Sequence, residues 1–246
     1  MIVTIVLGIL ICIGLVFLIE KFVPLKLTPI ISILLWVIIG FLGYQLYESI
    51  NAPVRFNKVK EARYRKVIKN LKDIRAAELA YQEINGKFTG SYDSLIQFID
   101  TAQFAITQRR DTVYDDVEKN RAYGIDKGYY IEEVLIDTLG FVPVKDSLYK
   151  GTSRYKTMMK VPIEGVDATI ELKAGKLDKN GTFYSVFEAK VDKALLLADQ
   201  PKDLVTQEKQ TVSVDGVNGP TLRVGSMNDV DTSGNWPKLY ETEPKN

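Results

Sequence analysis

Two long stretches without a charged side chain, both inside the first fifty residues, constrain this chain more than any other feature. Residues 1–19 read MIVTIVLGILICIGLVFLI, and residues 27–47 read LTPIISILLWVIIGFLGYQLY. At 1.5 Å per residue, about 20 apolar residues cover the roughly 30 Å hydrocarbon core of a bilayer. Both runs are apolar on all sides rather than along one stripe, which does not suit a surface helix of a soluble core. The connector at residues 20–26, EKFVPLK, is short and contains a proline. The expectation is a transmembrane helical hairpin over residues 1–50, with spans at about 1–19 and 27–47. A cleaved signal peptide fits the first run poorly. No basic residue precedes it, no small-x-small site precedes Glu20, and a second apolar run follows directly. Cys12 lies within the first run and reads as a small apolar packing residue.

The flanking charge gives the orientation. Residues 51–75 carry nine basic side chains against Glu61 and Asp73. The seven nearest the second run are Arg55, Lys58, Lys60, Arg63, Arg65, Lys66 and Lys69. Lysine and arginine close to a span resist translocation, so this side is expected to be cytoplasmic, in a bacterial inner (plasma) membrane. A periplasmic head is the alternative. The same seven residues either only determine topology or also meet anionic lipid headgroups. The whole-chain charge of +1 conceals this partition: residues 51–75 are net +7 and residues 76–246 net −6. No basic–aromatic groove or reading-helix signature accompanies the charges, so nucleic acid is not an expected partner.

Residues 51–84 form a basic neck helix in this reading. Val67, Leu71, Ile74, Glu78 and Tyr81 recur at three- and four-residue steps, with Ile68, Ala77 and Ile84 beside that stripe. Asn85-Gly86 supplies a left-handed stop. Pro53 is expected to break or bend the junction with the preceding span. Residues 71–99, LKDIRAAELAYQEINGKFTGSYDSLIQFI, contain Ala77, Tyr81, Asn85, Gly86, Phe88, Asp93 and Leu95 at a distinctive spacing. This string resembles the globular start of type IV pilins and type II secretion pseudopilins. There a long helix ends in Ala-x-x-x-Tyr, then Asn-Gly-x-Tyr/Phe, a turn and an Asp-x-Leu segment. The resemblance implies a helix packed on an antiparallel sheet, with Tyr81, Asn85, Gly86 and Phe88 as its fold signature. It covers about 30 residues, and the basic leader with Gly-Phe-Thr-Leu-x-Glu that marks a prepilin is not present.

Residues 85–246 read as an α+β domain ending in a polar tail. A short helix is expected at 94–99. Extended segments are expected at 104–106 and 112–114, and near Pro143 at a sheet edge. Residues 131–139 fit strand or helix equally. Alternation of Val166, Ala168, Ile170 and Leu172 with polar residues, a loop at 176–181, and the row Phe183, Ser185, Phe187, Ala189 and Val191 predict a hairpin. Residues 211–214 and 221–224 flank a glycine-rich turn and suggest another. From Ser226 on the tail is polar, and its last residues are expected to be loose.

Chemistry is sparse. The chain has no His and one Cys. That excludes histidine-based hydrolase triads, a disulfide within the chain and thiolate zinc sites. No phosphate-loop, dinucleotide or nucleophile-elbow motif occurs. Asp229, Asp231 and Ser233, followed by Gly234, match the first half of a calcium loop, but Tyr240 stands where the bidentate Glu belongs. No cofactor or metal is favoured. The reading is an α+β membrane protein: a transmembrane hairpin, then a long neck helix packed on a small antiparallel β-sheet. Its expected role is a non-enzymatic scaffold or assembly component of the cell envelope. Expected partners are membrane lipids and either other membrane or envelope proteins or further copies of itself. A membrane-tethered sensor or ligand-binding module is the alternative.

Overall fold

The computed structural model describes residues 28–126 and 128–240, together with residues 14, 16 and 17. Nearly all of the first expected span, its connector and Cys12 lie outside the described residues. The chain divides into two compact units, Met1–Asn57 and Lys58–Asn246.

In the first unit the dominant element is the start of helix α1 (Thr28–Asn85). Its side chains are apolar and exposed, among them Ile33, Trp36, Val37, Phe41 and Tyr44. An 18-residue window reaches a mean hydropathy of 2.0 with none of it buried, and the helix is long and apolar enough to cross a membrane. The helix continues through Pro53, so of the expected break or bend the break does not occur. Proline removes one backbone donor at a cost of about 3 kcal/mol, but the turns on either side retain theirs. One turn earlier, Asn51 Nδ2 donates to the Tyr47 carbonyl at 2.8 Å.

In the second unit the same helix supplies a buried row. Tyr64, Val67, Ile68, Leu71, Ile74, Ala77 and Glu78 are all buried, which matches the three- and four-residue pattern, whereas Ile84 is exposed. The helix ends at Asn85, and Gly86 takes φ +71° while its N–H donates to the Gln82 carbonyl at 2.7 Å. That left-handed residue reverses the chain. Phe88 then returns to the core, its ring centroid 4.7 Å from that of Phe187. Helix α2 (Tyr92–Thr101) is N-capped by Ser91 and buries Leu95, Phe98 and Ile99. Tyr81 meets Phe98 edge-on at 5.0 Å.

Strand β1 (Gln103–Asp115) and strand β2 (Tyr130–Pro143) form a two-stranded antiparallel ribbon. The two short segments expected at 104–106 and 112–114 are thus parts of one strand, and the ambiguous stretch 131–139 is extended. A bulge lies between Ile106 and Thr107. Helix α3 (Val117–Ala122) follows β1 and precedes β2 at one end of the ribbon. At the other end Val144 N–H donates to the Ala102 carbonyl at 3.0 Å. Helix α4 (Val144–Tyr149) and a 3-10 turn at Arg154–Thr157 lead to the main sheet.

That sheet is β3 (Glu171–Lys179), β4 (Thr182–Asp192) and β5 (Thr221–Gly225), antiparallel, with β4 central. Asn180 and Gly181 take φ +57° and +81°. This is the two-residue hairpin turn that an Asn-Gly pair favours, so pairing continues to Lys179↔Thr182 and the expected loop at 176–181 shrinks to two residues. The strand opens at Glu171 rather than 166. Helices α5 (Lys193–Leu196) and α6 (Lys202–Lys209) lie between β4 and β5. The second expected hairpin is not formed. β5 pairs with β4, while 211–214 is a loop in which Ser213 N–H donates to Asn218 Oδ1.

Up to Tyr240 the polar C-terminal stretch is tied to the sheet; the last residues, 241–246, expected to be loose, lie outside the described residues. Asn235 accepts from Arg223 N–H through Oδ1 and donates to the Thr221 carbonyl through Nδ2. Trp236 and Tyr240 are buried. The architecture is α+β, with a long N-terminal apolar helix and small antiparallel sheets.

Candidate functional site

The basic collar separates into two groups because an α-helix shows residues three or four apart to the same neighbour. Lys60 Nζ lies 2.9 Å from Glu208 Oε2. Arg63 donates to the Leu196 carbonyl at 2.9 Å and grips Asp199 through both guanidinium ends, one at 2.8 Å. The Asp199 carboxyl is thereby held at about 2. The Arg65 guanidinium lies 5.7 Å from the ring centroid of Tyr240. These three residues tie α1 to the C-terminal half of the domain. Lys58, Lys66 and Lys69 are exposed, and Arg55, also exposed, pairs with Glu48.

Lys60 belongs to a buried polar cluster that sequence reasoning missed. Lys193 is fully buried, and its ammonium donates to Glu208 Oε1 (2.9 Å), the Glu208 carbonyl (2.8 Å) and the Val217 carbonyl (2.6 Å). Three donors meet three acceptors, the condition under which a buried ammonium is tolerated. Tyr64 hydroxyl donates to the same Oε1 at 3.2 Å. Burial lowers the Lys193 pKa, and the Glu208 carboxylate opposes that shift. Burial raises the Tyr64 hydroxyl, and Glu208 raises it further. No local signal in the sequence around Lys193 or Glu208 marks them for this role.

Glu78 is a further buried ionisable group. Its Oε2 accepts Thr89 N–H at 3.0 Å, while Oε1 has no hydrogen-bond partner among the described residues. Burial pushes the carboxyl up to about 8, against the smaller opposing effect of the Thr89 bond. A glutamate inside an apolar stripe was the visible signal.

The calcium-loop candidate turns its carboxylates onto its own chain. Asp231 accepts Ser233 N–H at 2.8 Å and the Ser233 hydroxyl at 2.7 Å. Asp229 Oδ1 takes Lys179 Nζ at 3.0 Å and Val230 N–H at 2.8 Å. These donors hold both carboxyls below their ordinary range. Among the described residues no group of three or more Asp, Glu, Cys or His side chains is placed to hold a metal.

The most unusual surface is the ribbon. Tyr130, Val134, Ile136, Leu139 and Phe141 of β2 and Ile106, Val113 and Tyr114 of β1 are all exposed. A two-stranded ribbon is marginal in water by itself, and large exposed apolar side chains mark interaction surfaces. Period-2 patterning could not have revealed it, because both faces mix apolar with charged residues. Compared with known protein families, curated proteins and solved structures, the chain matches none.

Proposed function

We propose that this chain is a non-enzymatic scaffold or assembly component of a bacterial inner membrane, held by its N-terminal apolar segment with the head on the cytoplasmic side. The observation that carries the reading is the ribbon: an α+β domain continuous with an exposed apolar helix bears a two-stranded surface of exposed aliphatic and aromatic side chains. The basic collar supports the orientation, and its outward lysines suit anionic headgroups at about 1 kcal/mol each. The likeness of residues 71–99 to pilin-type heads supports an assembly role. The crevice between α1 and β4, beside Gln82, Phe88 and Ser185, is only about 80 Å³, so the helix–sheet seam is not where a sensor's ligand would fit; a depression of about 650 Å³ lies elsewhere, beside Asp115, Asn120 and Asp126.

The test has two parts. Full-length protein is expected to stay in the pellet after alkaline carbonate extraction, with a C-terminal fusion active for a cytoplasmic reporter and silent for a periplasmic one. In mild detergent it is expected to run as a defined assembly. Replacing residues 103–143 with a short Gly-Ser linker between Ala102 and Val144 is expected to abolish assembly and leave membrane insertion intact. Carbonate-soluble protein, or a wild-type monomer, would overturn the proposal.

A further inference from the structure

We propose that the free edge of β1 is where a second copy of this chain docks, antiparallel and two-fold symmetric about Arg110. This rests on the assembly reading and names its partner. β1 pairs with β2 on one side, and no other strand among those described joins the ribbon. Between Ile106 and Tyr114 the outer side of β1 thus has no strand partner among the described residues and is a template for another strand.

The charges on β1 decide what fits there. Arg109 and Asp111 are 69% and 73% exposed, meet each other at 3.1 Å on one face of the strand, and flank Arg110, itself tied to Asp137 across the ribbon; the dimer would extend their pair into an alternating four-charge cluster. An antiparallel β1–β1 pairing centred on residue 110 sets each Arg109 opposite Asp111 of the other copy. The same register sets Thr107 opposite Val113 on that face and Ile106 opposite Tyr114 on the other, and at the centre of that second face it brings Arg110 against Arg110 of the other copy, a like pair in which each guanidinium is already paired with its own Asp137. Opposite charges and apolar–aromatic pairs directly across a ladder are favourable, and like charges are not. A blunted edge would carry one sign of charge; here the sign reverses across the centre, so the strand complements itself. β2 does not. It carries Glu132, Glu133 and Asp137 and no basic residue, so a β2–β2 edge would oppose carboxylates. The β1 pairing spans nine residues, from Ile106 to Tyr114, roughly 30 Å of ladder at 3.4 Å per residue. It uses one surface on both copies and therefore closes at two.

The experiment uses the full-length chain in native membranes, with Cys12→Ser and Arg110→Cys as background. The two positions 110 lie opposite each other in the proposed register, within reach of a short bis-maleimide cross-linker, which adds one thiol at each end. A single dimer band is expected. Adding Arg109→Asp alone, or Asp111→Arg alone, is expected to reduce the cross-linked fraction at least tenfold. Co-expressing these two variants restores opposite charges at both contacts, and the dimer is expected to return. Combining both changes in one chain restores it as well. Rescue separates lost pairing from misfolding. The inference is overturned by no dimer in the background protein or by single variants that cross-link normally. If detergent-solubilised wild type still assembles through residues 103–143 while position 110 does not cross-link, the assembly reading stands and this interface falls.

Discussion

Replacing Glu78 with glutamine is expected to make the protein more stable at neutral pH, by an amount that grows with pH. The carboxyl has an ordinary value of 4.5 and is pushed to about 8 by burial in the folded state. Below pH 4.5 it is neutral whether the chain is folded or not. Between 4.5 and 8 the unfolded chain releases the proton and the folded one retains it. The unfolded state therefore binds fewer protons, and stability falls as pH rises, by 1.36 kcal/mol for each pH unit. At pH 7 the accumulated loss is about 3 kcal/mol, and above pH 8 it levels off near roughly 5 kcal/mol. Glutamine does not titrate, and its amide oxygen can still accept Thr89 N–H, the bond that Oε2 makes at 3.0 Å. Its amide nitrogen, placed where Oε1 has no partner, adds a cost that does not change with pH. Urea unfolding of the full chain in detergent, followed by Trp236 fluorescence with Trp36→Phe as background, measures both proteins from pH 4 to 9. Other titrating groups are common to both and cancel in the difference. A difference that stays flat across pH 4.5 to 8, or that favours wild type increasingly as pH rises, would refute the account of Glu78 as a carboxyl kept neutral by burial.

Glu208→Ala leaves the buried Lys193 ammonium without its carboxylate and is expected to cost about 3–5 kcal/mol, read as a lower urea midpoint. Lys193→Met combined with Glu208→Leu is expected to recover much of that loss, since neither charge is then stranded. Gly225→Ala places a Cβ 2.3 Å from the Phe187 carbonyl oxygen at φ +73°; the left-handed backbone and the clash together are expected to cost about 3 kcal/mol. Gly181→Ala has φ +81° but open space around its Cβ, so thermal melts are expected to show only about 1 kcal/mol of loss.

The features legible in the amino-acid sequence are those with a local physical cause. The second apolar run is helical from Thr28. The helix stops at Asn85 because Gly86 can take a positive φ. The hairpin of β3 and β4 forms at its Asn-Gly turn, although burial does not follow the expected row: Phe183 is exposed, and Val186 and Glu188 on the other face of β4 are buried beside Phe187 and Ala189. Local rules failed where a larger structure overruled them. Pro53 does not break α1, because a 58-residue helix keeps its ladder on either side. The turn signals around residues 215–220 suggested a hairpin, but β5 found its partner in β4 instead.

All seven basic residues of the candidate site were readable as a cluster from residues 55–69 alone. Which of them face the head was not. Lys60 and Arg63 are claimed by Glu208 and Asp199, more than 130 residues away in the chain, and Arg65 lies over Tyr240. Burial of Lys193, Glu208 and Glu78 depends on which surfaces meet, and no periodicity carries that information. The ribbon was similarly hidden, since a strand exposed on both faces has no reason to alternate. By itself the sequence determined the apolar N-terminal segment, the basic collar and an α+β head, because composition, period and turn chemistry act over a few residues. Only the tertiary structure decided which charges are paired, which acid is kept neutral and which strand edge is left open. Those outcomes depend on contacts between segments distant in the chain.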